Sequence, residues 1–235
     1  MIGSLLNAST ILAGGLIGLL IGKRLSKQSS ESLMIVLGCL TLIFGIQMVL
    51  ETRNILVPVV ALILGTIAGE AITLETRLEQ FALRLEGLVA HRSESQFARA
   101  FLTTSIVYCT GALVILGPFE EGLTGTYKTL LLKSTIDGIA SIVFATTMGW
   151  GVLFAAIPVL LIEGGLTLGA SFLNPWVTPG MIGESSATGG AILILLGLKI
   201  MGVKPSRVAN LIPALLIAPL LVKVLSLLNI SLFTG

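Results

Sequence analysis

The residues whose chemistry is hardest to explain by packing are ionisable groups inside apolar stretches. Asp137 lies near the middle of the apolar stretch 127–148, and Glu163 lies near the middle of the next one, 152–173. An ionisable side chain at bilayer depth costs about 2.5–3.5 kcal/mol on insertion scales, and it faces a protein interior or a water-filled cavity. Asp137 is therefore the first candidate for an ion- or proton-coupling residue.

Further polar residues share a helical face with Asp137. Steps of four residues place Lys133, Asp137 and Ser141 on one stripe, and Ser134 lies beside it. Lys133 can neutralise Asp137 across one helical turn. A buried pair that only locks helix packing is the alternative to a translocation site, since desolvation offsets much of the attraction within such a pair.

Three more residues extend the predicted binding site. Glu163 takes the place that Ala13 has in a similar stretch of the chain, so packing alone does not require a carboxylate there. Glu184 comes just before an apolar run, where a helix N-terminus favours anionic partners, although ordinary capping is the alternative. Asn7 adds an amide to the first apolar stretch, where Asn often makes hydrogen bonds between helices.

The composition is that of a membrane protein. Of 235 residues, 54% are hydrophobic and 11% are charged, and apolar stretches of about 20 residues match the thickness of a hydrocarbon core. A seven-span version, with 127–148 and 152–173 merged or one of them shortened, is the alternative to eight spans. We predict an all-α, polytopic membrane protein with spans at about 3–22, 33–50, 54–73, 98–117, 127–148, 152–173, 186–203 and 207–228.

Basic residues favour eight spans over seven. Eight spans place every basic loop on one side, the cytoplasmic one, and both termini outside, whereas seven would put the last basic cluster on the opposite side. The outer loops carry little positive charge, and Glu120 and Glu121 in one of them are expected to be solvated or to line an entrance. The basic clusters are Lys23, Arg24 and Lys27 after span 1, Arg77, Arg84, Arg92 and Arg99 before span 4, and Lys199, Lys204 and Arg207 around the last turn.

The two ends of the chain resemble each other. Spans 1–3 and spans 6–8 share short matches in the same order, and the charges give span 1 and span 6 opposite directions. Such an inverted repeat is typical of secondary transporters, whose sites lie near the midplane between the copies. The matching segments are 11–16 with 161–166, 42–48 with 195–201, and 55–58 with 210–213.

We therefore predict one integral membrane domain, 1–235, in which two repeats flank a central part. Within the linker, 74–94 has leucines at helical spacing among many charges, which indicates an amphipathic helix at the cytoplasmic interface. A regulatory or partner-binding helix is the alternative. The parts are repeat A at 3–73, the linker at 74–97, the central spans at 98–148 and repeat B at 152–228.

Several classes of protein are not expected. The chain shows no nucleophile–base pair, metal-ligand spacing or phosphate-binding loop, so we predict no enzyme and no cofactor, and leave metal binding open. A net charge of +2 argues against nucleic acid as a partner. Cys39 and Cys109 lie within apolar stretches and are expected to be inert thiols, and His91 lies in a polar linker.

Five segments resemble the DUF554 family of bacterial inner-membrane proteins, over essentially the whole chain. The resemblance implies a polytopic fold and an inner-membrane location, and the family name assigns no activity. Members often carry Gln where Glu163 stands and Asp where Thr126 stands, which leaves Asp137 the better candidate for a shared role. The segments are 111–118, 121–125, 132–141 with its Lys-Ser-x-x-Asp-Gly motif, 156–160, and 207–219 with its Val-Ala-Asn-Leu-x-Pro-Ala motif.

The leading hypothesis is a secondary transporter or exporter of a small polar solute or ion. Asp137 would be the coupling group, Lys133 its partner, and Ser134, Ser141 and Glu163 the polar lining. A small ion channel is one alternative, and a non-transporting membrane scaffold or sensor that uses the 74–94 helix is another. The expected partners are the lipid bilayer and a small solute or ion, with a homo-oligomer left open.

Overall fold

We describe the protein from a computed structural model of residues 1–89, 95–203 and 207–227. Parts of several predictions lie outside these ranges: His91, Arg92 and Lys204, the end of the 74–94 segment, and residue 228 of the last predicted span. The described elements are α1 (Ile2–Gly22), α2 (Lys27–Val49), α3 (Leu56–Ala71), α4 (Leu74–Val89), α5 (Ser95–Tyr108), α6 (Leu113–Thr124), α7 (Lys128–Met148), α8 (Gly151–Phe154), α9 (Ala156–Leu173), α10 (Pro179–Ile200), a 3-10 helix (Val208–Leu211) and α11 (Ala214–Leu227).

The predicted all-α membrane fold is confirmed. Large apolar side chains point outward along the long helices: Leu161, Leu168, Phe172 and Leu216 are each at least 70% exposed. A soluble protein would bury such residues, whereas lipid solvates them. Six helical stretches are long and apolar enough to cross a membrane: Ile2–Gly22, Gln28–Val49, Lys128–Met148, Gly151–Leu173, Pro179–Ile200 and Val208–Leu227.

The fourth predicted span is not a straight helix, and the third is short. The third, 54–73, is observed as α3, of 16 residues, and the chain then bends by 58° into α4, which begins at Leu74, where the amphipathic linker helix was predicted. In place of 98–117 it forms α5 and α6, which meet at 61°. The backbone leaves the helical region at Thr73, with φ +52°, and at Gly111, with φ +116°. The count is eight when each bent pair is one span.

The described chain divides into two compact units. Unit 1 comprises Met1–Leu37, Arg77–Cys109 and Leu113–Asn174, and unit 2 comprises Gly38–Thr76, Thr110–Ala112 and Pro175–Gly235. In unit 1, α1 packs closely against α7 because Gly14, Gly18 and Gly22 recur every four residues on one face. A Cβ atom at each glycine would collide with backbone carbonyl oxygens of α7, namely those of Gly138, Ile142 and Thr146 in that order.

Because these partners rise in number together, α1 and α7 run parallel. Two parallel helices that both cross a membrane are separated by an odd number of crossings. Between α1 and α7, helix α2 crosses the membrane once. The bent pairs α3–α4 and α5–α6 must therefore add either no crossing or two crossings in total. This orientation favours six or eight spans over seven.

Three further helix pairs run antiparallel. In unit 1, α1 meets α9 through Ser4 with Thr167 and Asn7 with Glu163. In unit 2, α2 meets α10 through two pairs of glycines, and α3 meets α11 and the 3-10 helix through one glycine each time. These are the pairs that the predicted repeat relates, and the repeat itself remains a prediction. The unit 2 contacts are Gly38 with Gly197, Gly45 with Gly190, Gly65 with Ala214 and Gly69 with Asn210.

Candidate functional site: a buried ion-pair cluster

Four polar side chains from three helices meet inside unit 1. Asn7 comes from α1, Lys133 and Asp137 come from α7, and Glu163 comes from α9; we call them the buried cluster. Their exposed fractions are 0%, 4%, 7% and 1%. The glycine contacts bring α1 and α7 close together, so the short Asn7 side chain can reach Asp137. Asn7 also reaches Glu163 on α9. The structure thus brings Asn7 into contact with Asp137, 130 positions away in the sequence, and with Glu163, 156 positions away.

Lys133 is shared between two carboxylates. Its ammonium forms an ion pair with Asp137 one turn along α7, as the four-residue spacing predicts. It also lies 3.2 Å from Oε1 of Glu163 on α9. An ammonium has three donors, and two of them are directed at these carboxylates. One cation therefore holds two acidic side chains on different helices.

Asn7 joins the same two carboxylates. Its Nδ2 donates to Oδ2 of Asp137 at 3.0 Å and to Oε1 of Glu163 at 2.9 Å. Both amide hydrogens are then in use. Asn7 Oδ1 and Glu163 Oε2 are buried and have no hydrogen-bond partner among the described residues.

The contacts leave the buried cluster with a surplus of negative charge and of acceptors. Two carboxylates and one ammonium sum to −1 when all three are ionised. A buried carboxylate without full compensation costs several kcal/mol. A proton or another cation at Glu163 would remove both the surplus charge and the unpaired acceptor.

Two serines of the predicted site have different surroundings. Ser141 is fully buried, and its hydroxyl forms a hydrogen bond of 2.8 Å with the hydroxyl of Tyr108 at the end of α5. Ser134 instead donates to the carbonyl of Leu130 at 2.6 Å, within its own helix. Ser141 thus extends the polar region from Asp137 toward the break between α5 and α6, and Ser134 makes a local contact.

Glu184 belongs to unit 2, whereas the other predicted site residues belong to unit 1. Its carboxylate accepts from Thr52 Oγ1 at 2.7 Å and from the backbone amides of Arg53 and Asn54 at 2.9 and 3.1 Å. These donors form the turn that leads into α3. The contacts give Glu184 a structural task in holding that turn, and its predicted binding role stays a prediction.

Glu121 was expected in an outer loop, either solvated or lining an entrance, and its placement in a solvated loop was wrong. The residue lies inside α6 and is 7% exposed. Its Oε1 accepts from the backbone amide of Gly3 at 2.9 Å. Pro118 misled the prediction because proline usually ends a helix, whereas here it lies within α6. The carboxylate thus serves the free amides at the start of α1.

A second carboxylate contact escaped the sequence-based prediction. In unit 2, Glu75 accepts from Lys199 at 2.8 Å and from the amide of Ala209 at 2.9 Å. Its own amide donates to Asn210 Oδ1 at 2.7 Å. Glu75 thereby holds the 3-10 turn before α11 much as Glu184 holds the turn before α3.

The described residues contain no group of three or more His, Cys, Asp or Glu side chains that could hold a metal ion. The buried cluster contributes two carboxylates and an amide, with an ammonium among them. A divalent cation takes six or more oxygen ligands in many protein sites. In this donor set the place between the two carboxylates is already taken by the Lys133 ammonium.

Comparisons with known proteins identify relatives over nearly the whole chain. The family model described as "Protein of unknown function (DUF554)" matches residues 2–223. The chain is 32% identical over 222 residues to "Uncharacterized protein YqgA" of Escherichia coli (strain K12), covering 93% of this chain and 94% of that one. It is 32% identical over 229 residues to "Uncharacterized membrane protein YdfK" of Bacillus subtilis (strain 168), covering 96% and 97%. No solved structure matches the chain.

Proposed function

The chain belongs to the DUF554 family, and from its buried cluster we propose that it is a proton-coupled secondary transporter of a small polar solute or ion. The observation that carries the proposal is the sharing of one ammonium, that of Lys133, between the carboxylates of Asp137 and Glu163. Ionisable groups inside membrane spans are rare and mark ion or proton pathways.

The cluster can exist in two charge states. With Glu163 ionised, its Oε2 is an unpaired buried acceptor. With Glu163 protonated, the cluster is neutral and Lys133 pairs with Asp137 alone. Sequence reasoning assigns the coupling proton to Asp137, whereas the contacts favour Glu163, because Asp137 keeps Lys133 as a partner on its own helix in both states.

The arrangement of the helices supports transport. The break between α5 and α6 lies directly after Tyr108, whose hydroxyl bonds to Ser141 one turn from Asp137. Broken helices at membrane depth are tolerated where they face protein or a cavity, and transporters use them at their sites. The antiparallel pairs α1–α9, α2–α10 and α3–α11 are what an inverted repeat would produce.

We also propose an orientation of the chain in the membrane. The chain would lie in a bacterial inner membrane with eight crossings and both termini outside, because that arrangement puts the basic loops in the cytoplasm. The start of α7 would then face outward, and the cluster would lie between that end and the middle of the membrane.

Reconstitution in proteoliposomes tests the proposal. A pH gradient is imposed, and an entrapped pH-sensitive dye reports proton movement with and without each of a panel of small polar solutes. We expect solute-dependent proton movement in the wild type, its loss in Glu163→Gln and Asp137→Asn, and its retention in Glu31→Gln, an exposed control. Proton movement that is unchanged in both cluster variants would refute the proposal.

A further inference from the structure

A third buried carboxylate lies close to the cluster. Glu121 on α6 uses Oε1 to accept from the Gly3 amide, and the Met1 amine lies 2.7 Å from the same atom. Its Oε2 is buried and has no hydrogen-bond partner in the described part of the chain. Oε2 is thus a free acceptor on a carboxylate whose charge the Met1 amine compensates at Oε1.

The packing of α6 on α9 sets the position of Glu121 along the helix axis relative to Glu163. Its neighbour Gly122 packs so closely against the Thr167 carbonyl of α9 that a Cβ atom would collide with it. Thr167 lies one turn from Glu163 and donates to the Glu163 carbonyl at 2.9 Å. Glu121 is therefore about one helical turn, or about 5 Å along the axis, from the level of Glu163.

Two hydroxyl groups lie along α1 between the Gly3 contact with Glu121 and the Asn7 contact with Glu163. Ser4 Oγ and Thr167 Oγ1 are 3.3 Å apart and both are buried. Ser4 follows Gly3, which binds Glu121, and lies one turn before Asn7, which binds Glu163. The order along α1 is thus carboxylate, hydroxyl pair, carboxylate.

We infer that Glu121 is the outer acid of a proton route that reaches Glu163 through the hydroxyls of Ser4 and Thr167. This inference rests on the proposed function. The Glu121 carboxylate takes a proton at Oε2 and gives it to one hydroxyl, each hydroxyl accepts one proton and releases another, and the Glu163 carboxylate takes the last. Glu121 is left ionised and takes its next proton from the side of the membrane at which α1 begins.

The charged and titratable groups around this route lie at the start of α1, on α7 and at the end of α5. The Met1 amine faces Glu121, and Lys133 and Asp137 face Glu163. Tyr108, at the end of α5, forms a hydrogen bond with Ser141, one turn from Asp137, and Cys109 follows it. Removal of Glu121 changes none of the groups that contact Glu163 directly, so it should alter the rate of proton transfer and not the capacity of the cluster.

Proton uptake after a rapid pH jump tests the route in proteoliposomes. Glu121→Gln keeps an oxygen for the Gly3 amide and removes the acid, and we expect about a 100-fold slower uptake with an unchanged final amount at the cluster. Glu121→Asp should recover much of the rate. Glu120→Gln is the matched control, since this half-buried neighbour accepts from the amide of Thr129 instead.

Ser4→Ala supplies a second test that does not depend on the folding of the Glu121 variants, and we expect the same slow uptake. Wild-type rates in Glu121→Gln, or in Ser4→Ala where Glu121→Gln does not fold, would overturn the route while leaving the proposed function intact. A wild-type protein that moves no protons would contradict the proposed function, and this route with it.

Discussion

The Lys133 ammonium lies 3.2 Å from the Glu163 carboxylate on α9 while it is also paired with Asp137 on α7. The single cation joins two helices that run in opposite directions. Any change in the charge of either carboxylate alters the attraction between these helices. This relation links the protonation of the cluster to helix packing, which is the link that a coupled transporter needs.

Loss of Lys133 should destabilise the protein strongly. Lys133→Met leaves two buried carboxylates without their cation, and we expect a decrease of about 3–5 kcal/mol in the free energy of unfolding. Denaturant unfolding in detergent measures it. Lys128→Met, at an exposed position on the first turn of α7, should have little effect, and combining Lys133→Met with Glu163→Gln should recover part of the loss. Equal stability of Lys133→Met and Lys128→Met would contradict the ion-pair geometry.

Close packing of α1 on α7 should depend on Gly14. A Cβ atom there would collide with the Gly138 carbonyl, so Gly14→Ala should cost about 1–3 kcal/mol. Gly165 on α9 is the matched control, because a Cβ atom at that position would have no neighbour within 4 Å among the described residues. Gly165→Ala should be neutral or slightly stabilising, since Ala is the better helix former. Thermal unfolding in the same detergent compares the two, and a similar loss in both would count against the close contact.

Glu184 should matter for stability more than for transport. Glu184→Ala leaves the donors of Thr52, Arg53 and Asn54 without their carboxylate, and we expect a loss of about 2–3 kcal/mol. Glu184→Gln keeps one oxygen acceptor and should lose less. Proton movement per folded molecule should match the wild type in both variants. A loss of proton movement in well-folded Glu184→Gln would instead assign Glu184 to the site.

Labelling of single cysteines should reveal whether the bent pair α3–α4 crosses the membrane. In a background with Cys39 and Cys109 replaced by serine, Ser26→Cys should react from the cytoplasmic side and Thr126→Cys from the outside. Arg84→Cys, near the far end of the pair, should react from the same side as Ser26→Cys if the protein has eight crossings. Reaction of Arg84→Cys from the outside would mean that the pair re-enters on the same side.

Much of the fold could be predicted from the sequence because membrane spans are long and uniformly apolar. The same uniformity left no hydropathy signal for the break between α5 and α6. Gly111 does not stand out in its apolar stretch, and its positive φ lies at the break between α5 and α6. The break within 98–117 therefore could not be read from hydropathy alone, whereas the end of 54–73 lies two residues from the end of α3.

Only the local part of the candidate site could be predicted from the sequence. The four-residue spacing of Lys133 and Asp137 is local and sets their ion pair. The contact of Glu163 with Lys133 depends on how α9 packs beside α7, which no local pattern contains. Tyr108 was missed because a tyrosine at a helix end resembles a surface residue, and the burial of Glu121 was missed because a glutamate after a proline does so too.

The most direct test of the central claim is whether Glu163 gains and loses a proton. Infrared difference spectroscopy of the reconstituted protein, recorded across a pH titration, detects the protonated carboxyl group. We predict that one component of the carboxyl band is present in the wild type and in Glu120→Gln and is absent from Glu163→Gln. The same band at full amplitude in Glu163→Gln would show that Glu163 does not carry the proton and would contradict the proposed mechanism.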